Sequence, residues 1–266
     1  MRKLSIALAL VGTAGCGGGS NTAPAPVVTA PAINTSNTMI YLGQTVQFSA
    51  TGGGTIRWGG DNSTVATVDQ TTGRVTGVGI GRVTIWAENE SGRTTRLLRG
   101  LPSFAGSWRG NYTIQDCQSN GAFAIIAFCS SNFRQGQSLS MTLNISQTDD
   151  RITSGAVALG SLAGTLTTTT VGEDGQIRLA GSITPAPGNS IRLSIENMRL
   201  ESPTAGVVHG QYEQVWSDSS LSGTARVYAR VETLTRESGG PAFGFTAPPP
   251  ASLTLEDFVR MIKGER

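Results

Sequence analysis

The chain has 266 residues, enough for two modest domains that each bury a core of their own. Only 14% of the residues are charged and 35 are glycine, beside many threonines, serines and valines, a composition that points to β structure. A formal charge of +2 and a single histidine exclude a basic field for nucleic acid and any metal site that needs two histidines.

At the amino terminus Arg2 and Lys3 precede the apolar run Leu4–Val11, the small residues Gly12-Thr13-Ala14-Gly15 and then Cys16. A short positive region, an apolar core and a small-residue cleavage site make residues 1–15 a secretory signal, too short to span a bilayer. Its end, Thr13-Ala14-Gly15-Cys16, resembles the lipobox of bacterial lipoproteins, with Thr13 standing where that family has Leu, Val or Ile. The resemblance implies an acylated Cys16 as first mature residue. The protein would then be exported and lipid-anchored to the cell envelope, at the outer membrane, in the periplasm or on the cell surface. Ordinary cleavage near Ala14, leaving a free thiol, is the alternative. Without Arg2 and Lys3 the mature chain carries 18 basic and 18 acidic residues, so membrane attachment would come from acyl chains alone. With Cys16 acylated, Cys117 and Cys129 remain as a pair that an oxidising compartment can bridge.

Residues 16–26, rich in glycine and proline, read as a flexible tether. Residues 27–99 alternate short apolar-polar runs with turns, the pattern of a small sandwich. Gly43-Gln-Thr-Val-Gln-Phe-Ser-Ala50, Trp58, Ser63-Thr-Val-Ala-Thr-Val-Asp69, Gly73-Arg-Val-Thr-Gly77 and Gly81-Arg-Val-Thr-Ile85 follow in order. Together they resemble the bacterial immunoglobulin-like domain, group 2. The resemblance implies stalks and adhesive modules on cell surfaces, with no catalytic motif. Val46 and Phe48 should face the core, Trp58 should fill the gap between sheets, and Gly73 and Gly77 mark turns where positive φ is cheap.

Beyond the join Leu101-Pro-Ser103, residues 104–238 contain eight alternating runs: Trp108–Ile114, Ser138–Thr148, Arg151–Leu159, Gly164–Val171, Gln176–Thr184, Ser190–Leu200, Val207–Trp216 and Ser222–Val231. Asp149-Asp150 and Asp174-Gly175 fall at hairpin tips. Short links without helices predict an antiparallel, eight-stranded meander that closes into a barrel. The expected fold class is therefore all-β, an Ig-like sandwich followed by a barrel. Gly106-Ser-Trp108 resembles the Gly-x-Trp opening of lipocalin-like barrels, which implies a late arginine, Arg226 or Arg230, stacked on Trp108. Residues 239–251 are a Pro/Gly linker. In 252–266, Leu255, Phe258, Val259 and Ile262 recur at helical spacing, with Ser252 or Thr254 as cap. So short a helix should dock on the barrel or meet a partner.

The connection from Gln115 to Gln137 holds the apolar segment Phe123, Ile125, Ile126 and Phe128 between Cys117 and Cys129. These side chains should fold over an open barrel end, as a pinned lid above a ligand or as a plug of the core. Phe123, Ile126, Phe128, Tyr212 and Trp216 are the candidate ligand-binding residues. On the strand Val207–Trp216, His209, Gln211 and Glu213 share the outer face, while Tyr212 and Trp216 share the inner one. Asp149, Asp150, Glu173 and Asp174 sit in turns, and Glu196 and Glu213 point outward. No nucleophile elbow, phosphate loop or calcium-loop spacing is present. The expectation is a non-catalytic binding, adhesion or structural module of the envelope, with no cofactor and no metal. Its partner would be a surface protein or glycan. A lipocalin-like carrier of a small apolar ligand is the alternative, and a hydrolase would have to use His209 or Glu213.

Overall fold

The computed structural model describes residues 28–183, 190–237 and 254–264. Cys16, the signal and tether segments, the 239–251 linker and Ser252 lie outside them. The first body is built from β1 (Ala32–Ile33), β2 (Met39–Tyr41), β3 (Thr45–Gln47), β4 (Ala50–Thr51), β5 (Arg57–Gly60), β6 (Ala66–Val68), β7 (Arg74–Gly77), β8 (Gly81–Asn89) and β9 (Gly92–Leu101). A sheet in the order β2-β9-β8-β5 faces one in the order β3-β7-β6, and β1 pairs with β4. Between them Phe48, Val75, Val83, Ile85 and Leu98 are buried around Trp58, whose ring meets Phe48 edge-on at 6.4 Å. Gly73 has φ +73, as its turn requires. Gly77 differs from expectation. It lacks positive φ and is small because a Cβ there would lie 2.5 Å from the Tyr41 carbonyl oxygen.

The second body contains β10 (Gly106–Ser119), β11 (Ser138–Thr148), β12 (Arg151–Leu159), β13 (Leu162–Leu166), β14 (Thr169–Thr170), β15 (Ile177–Ile183), β16 (Ile191–Glu201), β17 (Val207–Asp218) and β18 (Ala225–Arg236). Each long strand pairs antiparallel with its chain neighbour, and β10 pairs with both β11 and β18, so eight strands close into a barrel. Closure removes the edges that would otherwise recruit other chains. The run Gly164–Val171 is in fact two elements, β13 and the short β14, which pairs back on Arg151 and Ile152.

The first barrel strand is longer than its apolar alternation suggests. Past a bulge between Ile114 and Asp116, the polar stretch to Ser119 keeps pairing with β18, which places Cys117 opposite Val227. The connection that follows is helical, contrary to the expectation of helix-free links: α1 (Gly121–Ile125) and α2 (Phe128–Asn132) are single short turns of helix.

The sandwich abuts one end of the barrel. Arg99 reaches from β9 across the join. It pairs with Asp150 at 3.3 Å and donates to the carbonyls of Val171 and Gly172 at 3.0 and 2.9 Å, with its side chain 17% exposed. Tyr41 Oη donates to the Asp149 carbonyl at 2.9 Å, and Arg82 pairs with Glu173 at 3.0 Å. Met39 and Tyr41 pack against the barrel core, where Leu101 and Phe104 are fully buried. At the same end Trp108 Nε1 donates to the Phe104 carbonyl at 2.7 Å. A guanidinium does stack on Trp108, but it belongs to Arg236, 4.9 Å from the ring centroid. Arg226 and Arg230 point outward instead, to Glu196 and Glu213 and to Glu232. Only the last residue of β18 lies level with the start of β10, since Trp108 pairs with Arg236.

Arg99 is the main polar clamp between the two bodies. Arg99→Ala should therefore cost roughly 1.5–3 kcal/mol, the value of charge-assisted hydrogen bonds removed from a half-buried site. It should also separate the unfolding of sandwich and barrel into two resolved transitions in a calorimetric scan. A single unshifted transition would deny the clamp.

Candidate functional site

The barrel mouth opposite the sandwich is the region to which the sequence assigns ligand-binding residues. Its floor is set by β17, where alternation turns Val208, Tyr212, Gln214 and Trp216 inward, each 0–2% exposed. Trp216 is the hub. Its ring lies 5.4 Å from Phe128, 5.8 Å from Phe133 and 5.5 Å from Phe258, and Phe123 meets Phe128 edge-on at 5.2 Å. Such tilted and edge-on contacts add to the area each ring buries.

The cluster draws on three segments. Phe123 and Phe128 descend from α1 and α2, Phe133 closes the same connection, and Phe258 comes from α3 (Leu255–Lys263). Thr254 caps α3 by accepting from the Asp257 amide while Asp257 accepts from the Thr254 amide, and Gly264 ends the helix in the left-handed conformation. The helix buries Phe258, Val259 and Ile262 and is held at the β12–β13 turn, where the Ser161 amide donates to the Met261 carbonyl at 3.0 Å. It docks on the barrel. Cys117 on β10 and Cys129 on α2 are joined in a disulfide that pins the connection to the rim.

Four of the five candidate ligand-binding residues, Phe123, Phe128, Tyr212 and Trp216, are thus brought inside the barrel. Ile126 is not: it is 48% exposed, and Ile125 is 85% exposed. A one-turn helix can turn only part of its residues inward, so the phenylalanines enter and the isoleucines remain outside.

Deeper in the barrel Tyr112 and Tyr212 meet edge-on at 5.5 Å. Gln214 Nε2 donates to Tyr212 Oη at 2.9 Å, and Trp216 Nε1 donates to Gln214 Oε1 at 3.2 Å. Tyr112 Oη is buried without a hydrogen-bond partner of good geometry among the described residues. Burial pushes the Tyr112 hydroxyl up to about 12, and the nearby Gln214 and Tyr212 groups offset only part of that. Tyr212 is raised well above the ordinary tyrosine range, again chiefly by burial. Neither phenol can act as a base near neutral pH.

Outside the barrel, His209 Nε2 lies 2.7 Å from Glu201 Oε1 at the surface, and Glu213 is held by Arg226 and by Asn197 Nδ2 at 3.0 Å. His209 and Glu213 lie on the outer stripe, each with its own partner. Phe133, Phe258, Tyr112 and Gln214 also line the interior and are not among the five candidate ligand-binding residues. Phe258 carries a signal in its place on the apolar stripe of α3, and Gln214 in sharing the inner face of its strand with Tyr212 and Trp216.

The fold defines an all-β protein with a sandwich packed against the end of a plugged, closed barrel. Residues 27–95 match the family model of the bacterial Ig-like domain, group 2, and the first body is such a domain. An intimin mutant of EHEC O157:H7 is similar at 22% identity, covering 38% of this chain and 55% of the intimin chain, with a TM-score of 0.23. This chain therefore spans about 55% of that structure's length. Domains 5–6 of the S-layer protein SbsC are 15% identical over 76% of this chain and 97% of theirs, with a TM-score of 0.27. Human protocadherin-24 EC1-2 is 9% identical over 81% of this chain and all of its own, with a TM-score of 0.27. No curated protein sequence matches the chain.

Proposed function

We propose that this protein is an exported lipoprotein of the bacterial envelope whose two β bodies form a non-catalytic binding or adhesive module. In this reading residues 1–15 are removed, Cys16 is acylated, and residues 16–26 tether the sandwich of 27–99 and the barrel of 104–238. The observation that carries it is the group 2 bacterial Ig-like domain at residues 27–95. Such modules serve as stalks and adhesive units on cell surfaces. The Cys117–Cys129 bridge supports it, because disulfides persist in oxidising compartments outside the cytoplasm.

A surface protein or glycan is the expected partner. The filled barrel favours this reading over a carrier of a small apolar molecule: Phe123, Phe128 and Trp216 spend their surface on one another and on Phe258. The interior segment is a plug.

The test is metabolic labelling in the host with an alkyne analogue of palmitate. The wild-type chain should take up label in the membrane fraction, and Cys16→Ser should take up none. Equal labelling of the two would remove the anchor from the account.

A further inference from the structure

The outer face of the barrel, on the side of β15 to β18, is irregular in a way the plugged interior does not require. Register shifts interrupt β15–β16 between Leu179 and Gly181, β16–β17 between Glu196 and Arg199, and β17–β18 between Val208 and Gly210. Asn197 adopts φ +50 at the second of these. Bulges re-aim side chains and gather beside binding sites. Here they open three adjoining depressions of about 570, 330 and 280 Å3, and Arg199 lines all three. The largest is also lined by Asn197, Gln211, Glu213, Tyr228 and Arg230.

The charges of this groove are unequal in their commitments. Glu213 shares Arg226 with Glu196, and Glu201, which lines the second depression, is paired with His209. Arg230 pairs with Glu232 at 3.1 Å. The Arg199 side chain is exposed and has no hydrogen-bond or ion-pair partner among the described residues. An uncommitted guanidinium at the junction of three depressions suits a planar oxyanion that can accept two parallel N–H bonds. Asn197 and Gln211 supply donors and acceptors of the kind that pair with hydroxyls, and Tyr228 supplies an aromatic face for an apolar edge. Three depressions that meet at Arg199 fit an extended chain better than a single small molecule.

We propose that this groove binds an acidic glycan, with a uronate carboxylate on Arg199 and a sugar ring against Tyr228. The inference rests on the reading of the chain as a binding module and adds the class of ligand and its place. The test titrates full-length protein carrying Cys16→Ser, which stays free of acyl chains, with a galacturonate octamer. Maltooctaose and phosphatidylglycerol vesicles are titrated in parallel. The octamer should bind with an affinity that falls as salt rises, and maltooctaose should not bind. Arg199→Ala should weaken the octamer by about tenfold or more without moving the unfolding midpoint, as loss of one charge-assisted contact predicts. Arg134→Ala, an exposed arginine on the connection after α2, should leave binding unchanged.

Absence of octamer binding, equal binding of maltooctaose, or an unaltered affinity in Arg199→Ala would overturn the proposal. Arg199-dependent binding of the vesicles in place of the octamer would do the same, by moving the ligand to a lipid headgroup. The anchor is read separately by labelling at Cys16, so failure here leaves the envelope assignment standing, and failure there leaves the groove to be judged on the octamer.

Discussion

Replacing Trp216 with alanine is expected to cost the barrel about 3–5 kcal/mol, the range for deleting a large aromatic side chain from a packed core. The ring is fully buried, and it touches Phe128, Phe133 and Phe258, three side chains from two separate segments. Without it neither the α1–α2 connection nor α3 keeps its principal partner. Gln214 Oε1 also loses the indole N–H that satisfies it. Natural domains hold only about 5–15 kcal/mol in total, so this one change should remove roughly a fifth of the stability at the least and nearly all of it at the most. Trp216→Phe should cost less, since it restores most of the volume but still strands the Gln214 oxygen. Urea unfolding followed by far-ultraviolet circular dichroism separates these outcomes. A loss below 1 kcal/mol in Trp216→Ala would mean that the mouth of the barrel is not packed as described.

The disulfide should show the second large effect. Cys117 sits on β10 and Cys129 on α2, separated by 12 residues, and joining them limits the conformations of the unfolded chain. For a loop of this size the chain-entropy estimate is roughly 3 kcal/mol. The double variant Cys117→Ser, Cys129→Ser should lose about that much, and so should the wild type in excess dithiothreitol. Phe123 and Phe128 remain apolar and still prefer the interior, so the connection should loosen most, while the barrel strands should stay folded and lose hydrogen-exchange protection only by the global destabilisation. Identical denaturation curves with and without reductant would show that the bridge does not constrain the fold.

Much of the second body is legible because its strands alternate strictly. Leu139, Met141, Leu143 and Ile145 occupy every second position of β11, and all are buried. In β16 the apolar positions are 191, 193 and 195, and then 198 and 200. That change of phase is the written trace of the bulge at Asn197, and it is what throws Arg199 outward into the groove. Read as one continuous run, the segment hides the outward turn of Arg199.

The α1–α2 connection was opaque for a different reason. A short apolar run is equally compatible with a strand, a loop or a helical turn, and only its tertiary context decides. α3 was readable from the spacing of Leu255, Phe258, Val259 and Ile262 and from its Thr254 cap. The insertion of Phe258 against Trp216 was not, because nothing local relates residues so far apart in the chain. Arg99 and Arg236 were hidden by the same distance. Each acts on a partner in another segment: nothing local marks Arg99, which reaches across the join to the barrel, and the Gly-x-Trp opening implies an arginine on Trp108 without telling Arg236 from Arg226 or Arg230.

The intact mass of the protein extracted from its own host's envelope tests the account most directly. It predicts a chain that begins at Cys16, bears the added mass of acyl groups and contains one disulfide between Cys117 and Cys129. A chain still beginning at Met1, unmodified and recovered from the soluble cytoplasmic fraction, would contradict it.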